Sequence, residues 1–203
     1  MQIASPRQTD NLVEPLFLER WSPRSFDRSA IDDGDLQTLF DAARWAPSSF
    51  NRQPWRFIYA HRDTPSWERF IDLLKPQNSG WARNGSVLIL MASDTMIQFP
   101  GSPMPTPSHS HSFDAGAAWA LFALQATRMG LAAHGLAGVD FERARTELGV
   151  PDDYRIEAGI VLGRAADKSL LPEPLQAREA PSGRNPVDSF AWEGRFGGVQ
   201  AAG

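Results

Sequence analysis

The chain is predicted to adopt an α+β fold, because helical and strand patterns alternate along it. Apolar residues recur at helical spacing over residues 31–46 and again over 113–131. Residues 87–92 are continuously apolar, and residues 156–162 are largely so, as is typical of buried strands. The order helix, strand, helix, strand, long helix, helix, strand therefore places a modest sheet among helices. This order does not give the directions of the strands.

The first half of the chain supplies short elements separated by prolines. Residues 1–13 are polar and are predicted to be flexible, and the apolar PLFL patch within residues 14–19 predicts a short helix. Aspartates at the start of the 31–46 segment suit a helix N-terminus, and Pro47 ends that helix. Residues 57–60 predict a short strand, and residues 66–74 predict an amphipathic helix.

The second half begins with a loop and continues with the longest helical pattern. Residues 99–112 are rich in Pro, Ser and Gly, which predicts a long irregular loop of the kind that forms lids or rims. The small residues of 113–131 indicate close packing against another helix, such as that of a partner copy. Residues 141–148 predict a short helix. We expect a single domain over 14–194 and a C-terminal tail over 195–203.

Composition excludes several classes of function. A net charge of −4 over 203 residues argues against a nucleic-acid surface. The chain has no cysteine, which removes disulfides, thiolate catalysis and thiolate metal sites. No apolar run has the length of a signal peptide or a membrane span, so we expect a cytoplasmic protein without a membrane partner. Redox chemistry would have to come from a cofactor.

Residues 42–57 contain the most distinctive turn of the sequence. Two hydroxyls and two side-chain amides lie between two prolines, namely Ser48, Ser49, Asn51 and Gln53 between Pro47 and Pro54. Amide groups offer both a donor and an acceptor, and proline limits the conformations of the turn. The turn therefore suits a flat heteroaromatic ligand, although the same residue types also make ordinary loops.

A second pattern precedes this turn. Arg20, Ser22 and Arg24 alternate along the chain, so they share one face of an extended segment. Two guanidiniums and a hydroxyl on one face form a suitable binding site for an anion.

Taken together, RxSxRxF followed by a helix and APSSxNxQPWRF resembles the nitroreductase family of FMN-dependent oxidoreductases, over about residues 20–186. The resemblance implies a mixed central sheet with helices on both faces and an interlocked homodimer with active sites at the subunit interface. It also implies hydride transfer from NAD(P)H through N5 of FMN to a small organic acceptor, such as a nitroaromatic, quinone or enone, by a ping-pong mechanism.

The same resemblance assigns the cofactor-binding residues. The phosphate would be bound by Arg20 and Arg184, with Ser22 on the ribityl or phosphate side. Arg24 would contact the N1–C2=O side of the ring and Asn78 its pyrimidine edge, and the backbone of Ala137 and Gly138 would face N5. The turn of the other subunit would contribute Pro47, Ser48, Ser49, Asn51 and Gln53. No side chain is assigned a catalytic role, since the chemistry would take place on FMN.

The sequence departs from the family pattern at three positions. Ser182 lies where a basic residue often precedes the last arginine, so the phosphate site is expected to carry one charge fewer. Trp81 replaces a basic side chain of some relatives, and Ala137 replaces a glutamate of others. His134 is interpreted either as a proton source or, with more support, as a packed or capping histidine.

Other functions remain open at this level. A reductive dehalogenase or a flavin-modifying enzyme would keep the same fold, and a flavin sensor or store would bind the cofactor without turnover. A metal enzyme built on His109 and His111 is the least supported, because two histidines in a Pro-rich loop lack a third ligand nearby. No metal site is assigned.

Overall fold

The computed structural model describes residues 7–9 and 11–198. The predicted division into a flexible segment over 1–13, a domain over 14–194 and a tail over 195–203 stays a prediction. Residues 1–6, 10 and 199–203 of those two terminal segments lie outside the described residues.

Seven α-helices and six strands are formed by the described residues. The helices are α1 Pro15–Glu19, α2 Asp33–Arg44, α3 Trp67–Asp72, α4 Pro76–Ala82, α5 His111–Arg128, α6 Phe141–Glu147 and α7 Glu173–Gln176. The strands are β1 Trp55–His61, β2 Val87–Asp94, β3 Met96–Ile97, β4 Thr106–Pro107, β5 Ala132–Leu136 and β6 Tyr154–Gly163. Among the described residues, no helix is long and apolar enough to cross a membrane.

The main sheet has four strands in the order β1-β2-β6-β5. Helices cover both faces, so the predicted α+β class with a helix-flanked sheet is confirmed. All three strand pairings are antiparallel, so the parallel pair that a mixed sheet requires is not among these four strands. The strand β2 begins at the end of the sheet where β1 finishes, with His61 opposite Val87. The strands β5 and β6 also run in opposite directions, with the start of β5 at Ala132 opposite the end of β6 at Gly163.

The core consists of two apolar layers, one on each face of the sheet. Alternate residues of β2 point to opposite sides, with Leu88 and Leu90 in one layer and Ile89 and Met91 in the other. The first layer packs against α3, α4 and α6, and the second packs against α2 and α5. Burial on both faces explains why β2 is continuously apolar.

Most elements predicted from the sequence are present, but α4 and β5 were missed, as were the shorter elements β3, β4 and α7. The helix α4 has Pro76 at its first position and carries no clear apolar period. The strand β5, with sequence AAHGL, lacks β-branched residues. Its Gly135 lies so close to α5 that an added Cβ would be 3.1 Å from the ring of Trp119. Close packing against α5 therefore requires small residues in β5. The strand consequently lacks the β-branched pattern by which strands are recognised in a sequence.

The Pro-rich loop is largely irregular, as predicted, but it contains a short antiparallel pair. The strands β3 and β4 pair Met96 with Pro107 and Ile97 with Thr106. At the start of the loop, the side chains of Phe50 and Phe99 meet edge to face with ring centres 5.3 Å apart. This contact joins the loop to the turn that follows α2.

Candidate functional site

A cavity of about 400 Å³ brings arginines from three parts of the chain together. Its lining includes the predicted residues Arg20, Ser22, Arg24 and Arg184, together with Arg7, Arg178 and His134. The expected loss of one charge at Ser182 stays a prediction. The cavity also contains Arg7 and Arg178, two guanidiniums from positions that the sequence pattern did not single out.

Charge and burial in this cavity fit an anionic ligand. Burial lowers the pKa of Arg20, and the charges of Arg7 and Arg184 lower it further. Burial also lowers the pKa of Arg7, with a contribution from Arg184. Like charges that disfavour one another are stabilised by a shared anion, and guanidiniums bind phosphate oxygens in a bidentate manner. The donor set therefore fits the phosphate of a mononucleotide such as FMN.

The segment that carries Arg20 and Arg24 is fixed by pairing just after β6. The backbone N–H of Asp27 donates to the carbonyl of Arg164 at 3.1 Å, and the N–H of Ala166 donates to the carbonyl of Ser25 at 3.0 Å. The hydroxyl of Ser25, which is buried, donates to the carbonyl of Asp167 at 2.6 Å. The arginines are thus held by the edge of the sheet rather than by a free loop.

Glu179 is a second anchor of this segment and was missed in the sequence. Its Oε1 accepts hydrogen bonds from the backbone N–H groups of Arg24, at 2.6 Å, and Ser25, at 2.8 Å. Its Oε2 lies 3.8 Å from Nη1 of Arg24, and the glutamate side chain is only 3% exposed. This buried carboxylate fixes the backbone of Arg24 by hydrogen bonds and places a negative charge beside its guanidinium.

His134 is the third anchor, from β5. Its Nδ1 lies 2.8 Å from the carbonyl of Pro23, so Nδ1 carries the proton and donates it in a hydrogen bond. Its ring packs against Trp81 with centroids 4.6 Å apart. Burial lowers the pKa of His134 despite the hydrogen bond to Pro23, so the ring is neutral at pH 7. The structure thus gives His134 a packing and positioning role.

Asn78 and Gly138, two of the residues assigned to the flavin ring, are in contact. The Asn78 amide donates to the carbonyl of Gly138 at 3.4 Å. A Cβ at Gly138 would be 1.9 Å from Nδ2 of Asn78, so only glycine allows this approach. The neighbouring Ala137 is exposed. Within the described part of the chain, the N–H groups of Ala137 and Gly138 make no hydrogen bond, so both remain able to donate to a ligand.

Trp81 has a structural role at the position where some relatives carry a basic residue. The indole is 3% exposed and stacks between Phe26, at 6.4 Å, and His134. It therefore packs against His134, which in turn is hydrogen-bonded to Pro23 of the arginine segment. The indole adds no charge to the site.

The turn over residues 47–53 does not line the arginine cavity of its own chain. Phe50, Asn51 and Gln53 have φ angles of 51°, 53° and 51°, and such left-handed conformations are unfavourable for residues other than glycine. The N–H of Gln53 donates to the Ser48 hydroxyl at 3.0 Å. The Gln53 amide donates to Asn51. The turn is thus locked in a strained shape that holds the two amides near each other.

Asp114 anchors this turn from the first turn of α5. Its buried carboxylate accepts hydrogen bonds from the N–H of Ser49 and the hydroxyl of Ser110, both at 3.1 Å. A negative charge near the N-terminus of α5 is also favoured by the helix dipole. No local sequence pattern indicates this contact, because Ser49 and Asp114 are 65 positions apart.

A second, more apolar cavity of about 380 Å³ adjoins the first. The two share Arg20, Ser22 and Gly135. The rest of its lining comes from α1 and α5, through Phe17, Trp119, Ala120, Ala123 and Leu124. Large apolar side chains stay exposed nearby, since Phe17 is 53% and Phe113 is 82% exposed.

The histidines of the Pro-rich loop form no metal site in the described part of the chain. No group of three His, Cys, Asp or Glu side chains there could hold a metal ion. Nδ1 of His111 lies instead 2.8 Å from the hydroxyl of Ser93 and 3.4 Å from the carboxylate of Glu157. That hydroxyl donates to Glu157 at 2.6 Å. This partly buried network joins α5 to β2 and β6.

Sequence comparison relates the chain to one family. The chain matches the nitroreductase family over residues 18–164. A 15.4 kDa protein of Mycolicibacterium smegmatis is 36% identical over 126 residues, which are 62% of this chain and 80% of that protein. A Streptomyces coelicolor protein, named NADH dehydrogenase/NAD(P)H nitroreductase, is 28% identical over 66% of this chain and 74% of its own length.

Solved structures give a matching result. A crystal structure described as an oxidoreductase containing FMN is 46% identical and superposes with a TM-score of 0.92, covering 98% of this chain and all of the other. A nitroreductase in complex with FMN from Desulfovibrio desulfuricans is 25% identical with a TM-score of 0.71, covering 93% of this chain and 99% of the other.

Proposed function

Because this chain belongs to the nitroreductase family, we propose that it takes electrons from NAD(P)H and passes them to a small organic acceptor in two separate half-reactions. Its class is that of an NAD(P)H-dependent flavin oxidoreductase with FMN as cofactor, in agreement with the printed names of its relatives. The observation that carries the proposal is the arginine cavity, where Arg20, Ser22, Arg24 and Arg184 meet.

Three groups of residues in this chain would bind different parts of FMN. Arg20, Ser22 and Arg184 would hold the phosphate. Arg24, fixed by Glu179, would face the N1–C2=O edge of the ring. When bound, FMN supplies a ring that accepts a hydride at N5 and later returns it to an acceptor. Asn78 and the free N–H groups of Ala137 and Gly138 would position that ring.

A second subunit would complete each site. The turn residues Pro47, Ser48, Ser49, Asn51 and Gln53 carry the hydroxyls and amides predicted for the ring, and they do not line the cavity of their own chain. Exposed apolar side chains such as Phe17, Phe113 and Phe190 offer surface for a partner copy to cover. Both observations support a homodimer with its active sites at the interface.

The acceptor would be a nitroaromatic, quinone or enone that follows the nicotinamide into the same space. No GxGxxG turn follows a strand in the sequence, so the nicotinamide would be held mainly by stacking on the flavin. Since both substrates use one face in turn, the first product leaves before the acceptor binds. Initial rates measured at several acceptor concentrations should therefore give parallel lines in double-reciprocal plots.

Anaerobic addition of NADH or NADPH to the purified yellow protein tests the proposal. We expect the visible flavin absorption to bleach, because a hydride path to the ring exists, and to return when an acceptor from a panel of nitroaromatics, quinones and enones is added. A yellow protein that no nicotinamide bleaches would instead be a flavin sensor or store. A protein that takes up no FMN would contradict both functions.

A further inference from the structure

Arg7 connects the two segments from which the phosphate-binding arginines come. Its Nε donates to the carbonyl of Ser182 at 2.8 Å, and its Nη1 donates to the carbonyl of Arg20 at 2.6 Å. Ser182 lies two residues before Arg184, so the Arg7 guanidinium bridges the backbone around both predicted phosphate ligands. The Arg7 side chain also lines the cavity itself.

The three guanidiniums are close enough to affect one another. Arg7 and Arg184 both lower the pKa of Arg20, and Arg184 also lowers that of Arg7. A phosphate monoester carries up to two negative charges and three acceptor oxygens near pH 7, so it matches a cluster of several guanidiniums. Such a cluster favours that ligand over a neutral one.

The position of Arg7 also accounts for the serine at 182. The resemblance led us to expect a basic side chain there, and the chain supplies a hydroxyl instead. The guanidinium of Arg7 reaches the carbonyl oxygen of that same serine from the other end of the sequence. A positive charge thus stands beside position 182 although residue 182 is neutral.

We propose that Arg7 is a phosphate-binding residue of the cofactor site, taking the part of the basic residue that is absent at position 182. The inference rests on the proposed function. It assigns the phosphate to FMN, because Arg7 shares the cavity with Arg20, Ser22, Arg24 and Arg184. The other source of the same chemistry is the 2′-phosphate of NADPH, which the test below separates from FMN.

Replacing Arg7 by alanine tests the assignment when FMN is compared with riboflavin. Riboflavin has the same ring and ribityl chain but no phosphate. Charge-assisted hydrogen bonds of this kind correspond to about a ten- to hundred-fold change in affinity. We expect Arg7→Ala to weaken FMN binding by about that factor and to leave riboflavin binding unchanged, as measured by quenching of flavin fluorescence in titrations of protein depleted of cofactor.

Two further variants sharpen the test. Arg7→Lys keeps the charge but loses the planar fork, so it should recover part of the lost FMN affinity. Arg69→Ala removes an exposed arginine from α3, away from the cavity, and should leave both flavins bound as in the wild type. This variant controls for the change in net charge.

Three outcomes would overturn the assignment. Unchanged FMN affinity in Arg7→Ala would show that Arg7 does not bind the phosphate. An equal loss for FMN and riboflavin would show that Arg7 only holds the backbone of the site. A loss confined to the KM for NADPH relative to NADH would move the bound phosphate to the co-substrate. Failure of the wild-type protein to bind FMN would instead contradict the proposed function.

Discussion

Burial of a single histidine makes the stability of this protein depend on pH within a defined window. Burial lowers the pKa of His134 in the folded chain, whereas in the unfolded chain it is about 6.5. Well above pH 6.5 the ring is neutral in both states and contributes no pH dependence. As the pH falls below about 6.5, the unfolded chain takes up a proton before the folded chain does, so the free energy of unfolding decreases.

The substitution His134→Asn isolates this effect. Asparagine can still donate to the carbonyl of Pro23 but does not titrate. We expect the wild type to lose more stability than His134→Asn between pH 7 and about pH 5.5 in urea unfolding of the flavin-loaded protein. Loss of the contact with Trp81 should lower the free energy of unfolding of the variant by the same amount at every pH. If the free energies of unfolding of the wild type and the variant changed in parallel over this pH range, the burial argument would be contradicted.

Individual side chains also show how far sequence reasoning extends. Arg20, Ser22 and Arg24 could be predicted because alternate spacing places them on one face of an extended segment, and they do share one cavity. Glu179 could not be predicted, because its hydrogen bonds to the Arg24 segment join residues 155 and 154 positions apart. Arg7 was missed for the same reason, since its partner Ser182 lies 175 positions away.

At the scale of elements, the strained turn after α2 depends on the N-terminus of α5. The Asp114 carboxylate holds the N–H of Ser49 next to three residues with left-handed backbone. Removing this buried acceptor leaves an N–H without a partner, which costs about 1–3 kcal/mol. Asp114→Ala should therefore lower the free energy of unfolding by about that amount and weaken FMN binding.

Urea unfolding and fluorescence titration with FMN measure the two effects. Asp114→Asn retains an oxygen acceptor, so it should lose less stability and less FMN affinity than Asp114→Ala. Asp41→Ala removes an exposed carboxylate that pairs with Arg44 on the surface of α2, and it should change stability by less than about 1 kcal/mol. If Asp114→Ala matched this control in stability and in FMN affinity, the turn would not depend on α5.

Elements whose packing produces a local pattern of apolar residues were predicted from the sequence, and the other elements were not. The strands β2 and β6 carry apolar runs because both faces of the sheet are buried. The strand β5 is formed by hydrogen bonds to β6 and by close contact with Trp119, which a local pattern does not contain. The same holds for α4, which is positioned by Trp81 stacking between Phe26 and His134.

At the scale of the whole molecule, the two parts of the proposed flavin site do not meet within one chain. The arginine cavity lies on one part of the surface, and the turn with Asn51 and Gln53 does not line it. In a homodimer, the turn of each subunit would complete the cavity of the other. A site shared between subunits can be tested in a way that a site within one chain cannot. A substitution in the cavity and a substitution in the turn can be introduced into different subunits of the same dimer.

Mixed dimers make this test possible. One subunit carries Arg24→Ala, and the other, with a different affinity tag, carries Asn51→Ala and Gln53→Ala. Each homodimer should bind FMN weakly, since both of its sites lack one half. In the mixed dimer, one site combines both damaged halves, whereas the other combines an intact cavity with an intact turn.

We therefore expect the doubly tagged mixed dimer to bind one FMN per dimer and to recover half of the wild-type activity for each dimer. If the turn belonged to the cavity of its own chain, both subunits of the mixed dimer would be damaged and nothing would be recovered. If the turn had no part in the site, the Asn51→Ala, Gln53→Ala homodimer would bind FMN like the wild type. Flavin absorbance per purified dimer distinguishes the three arrangements, because only a site shared between subunits gives depleted homodimers and a half-filled mixed dimer.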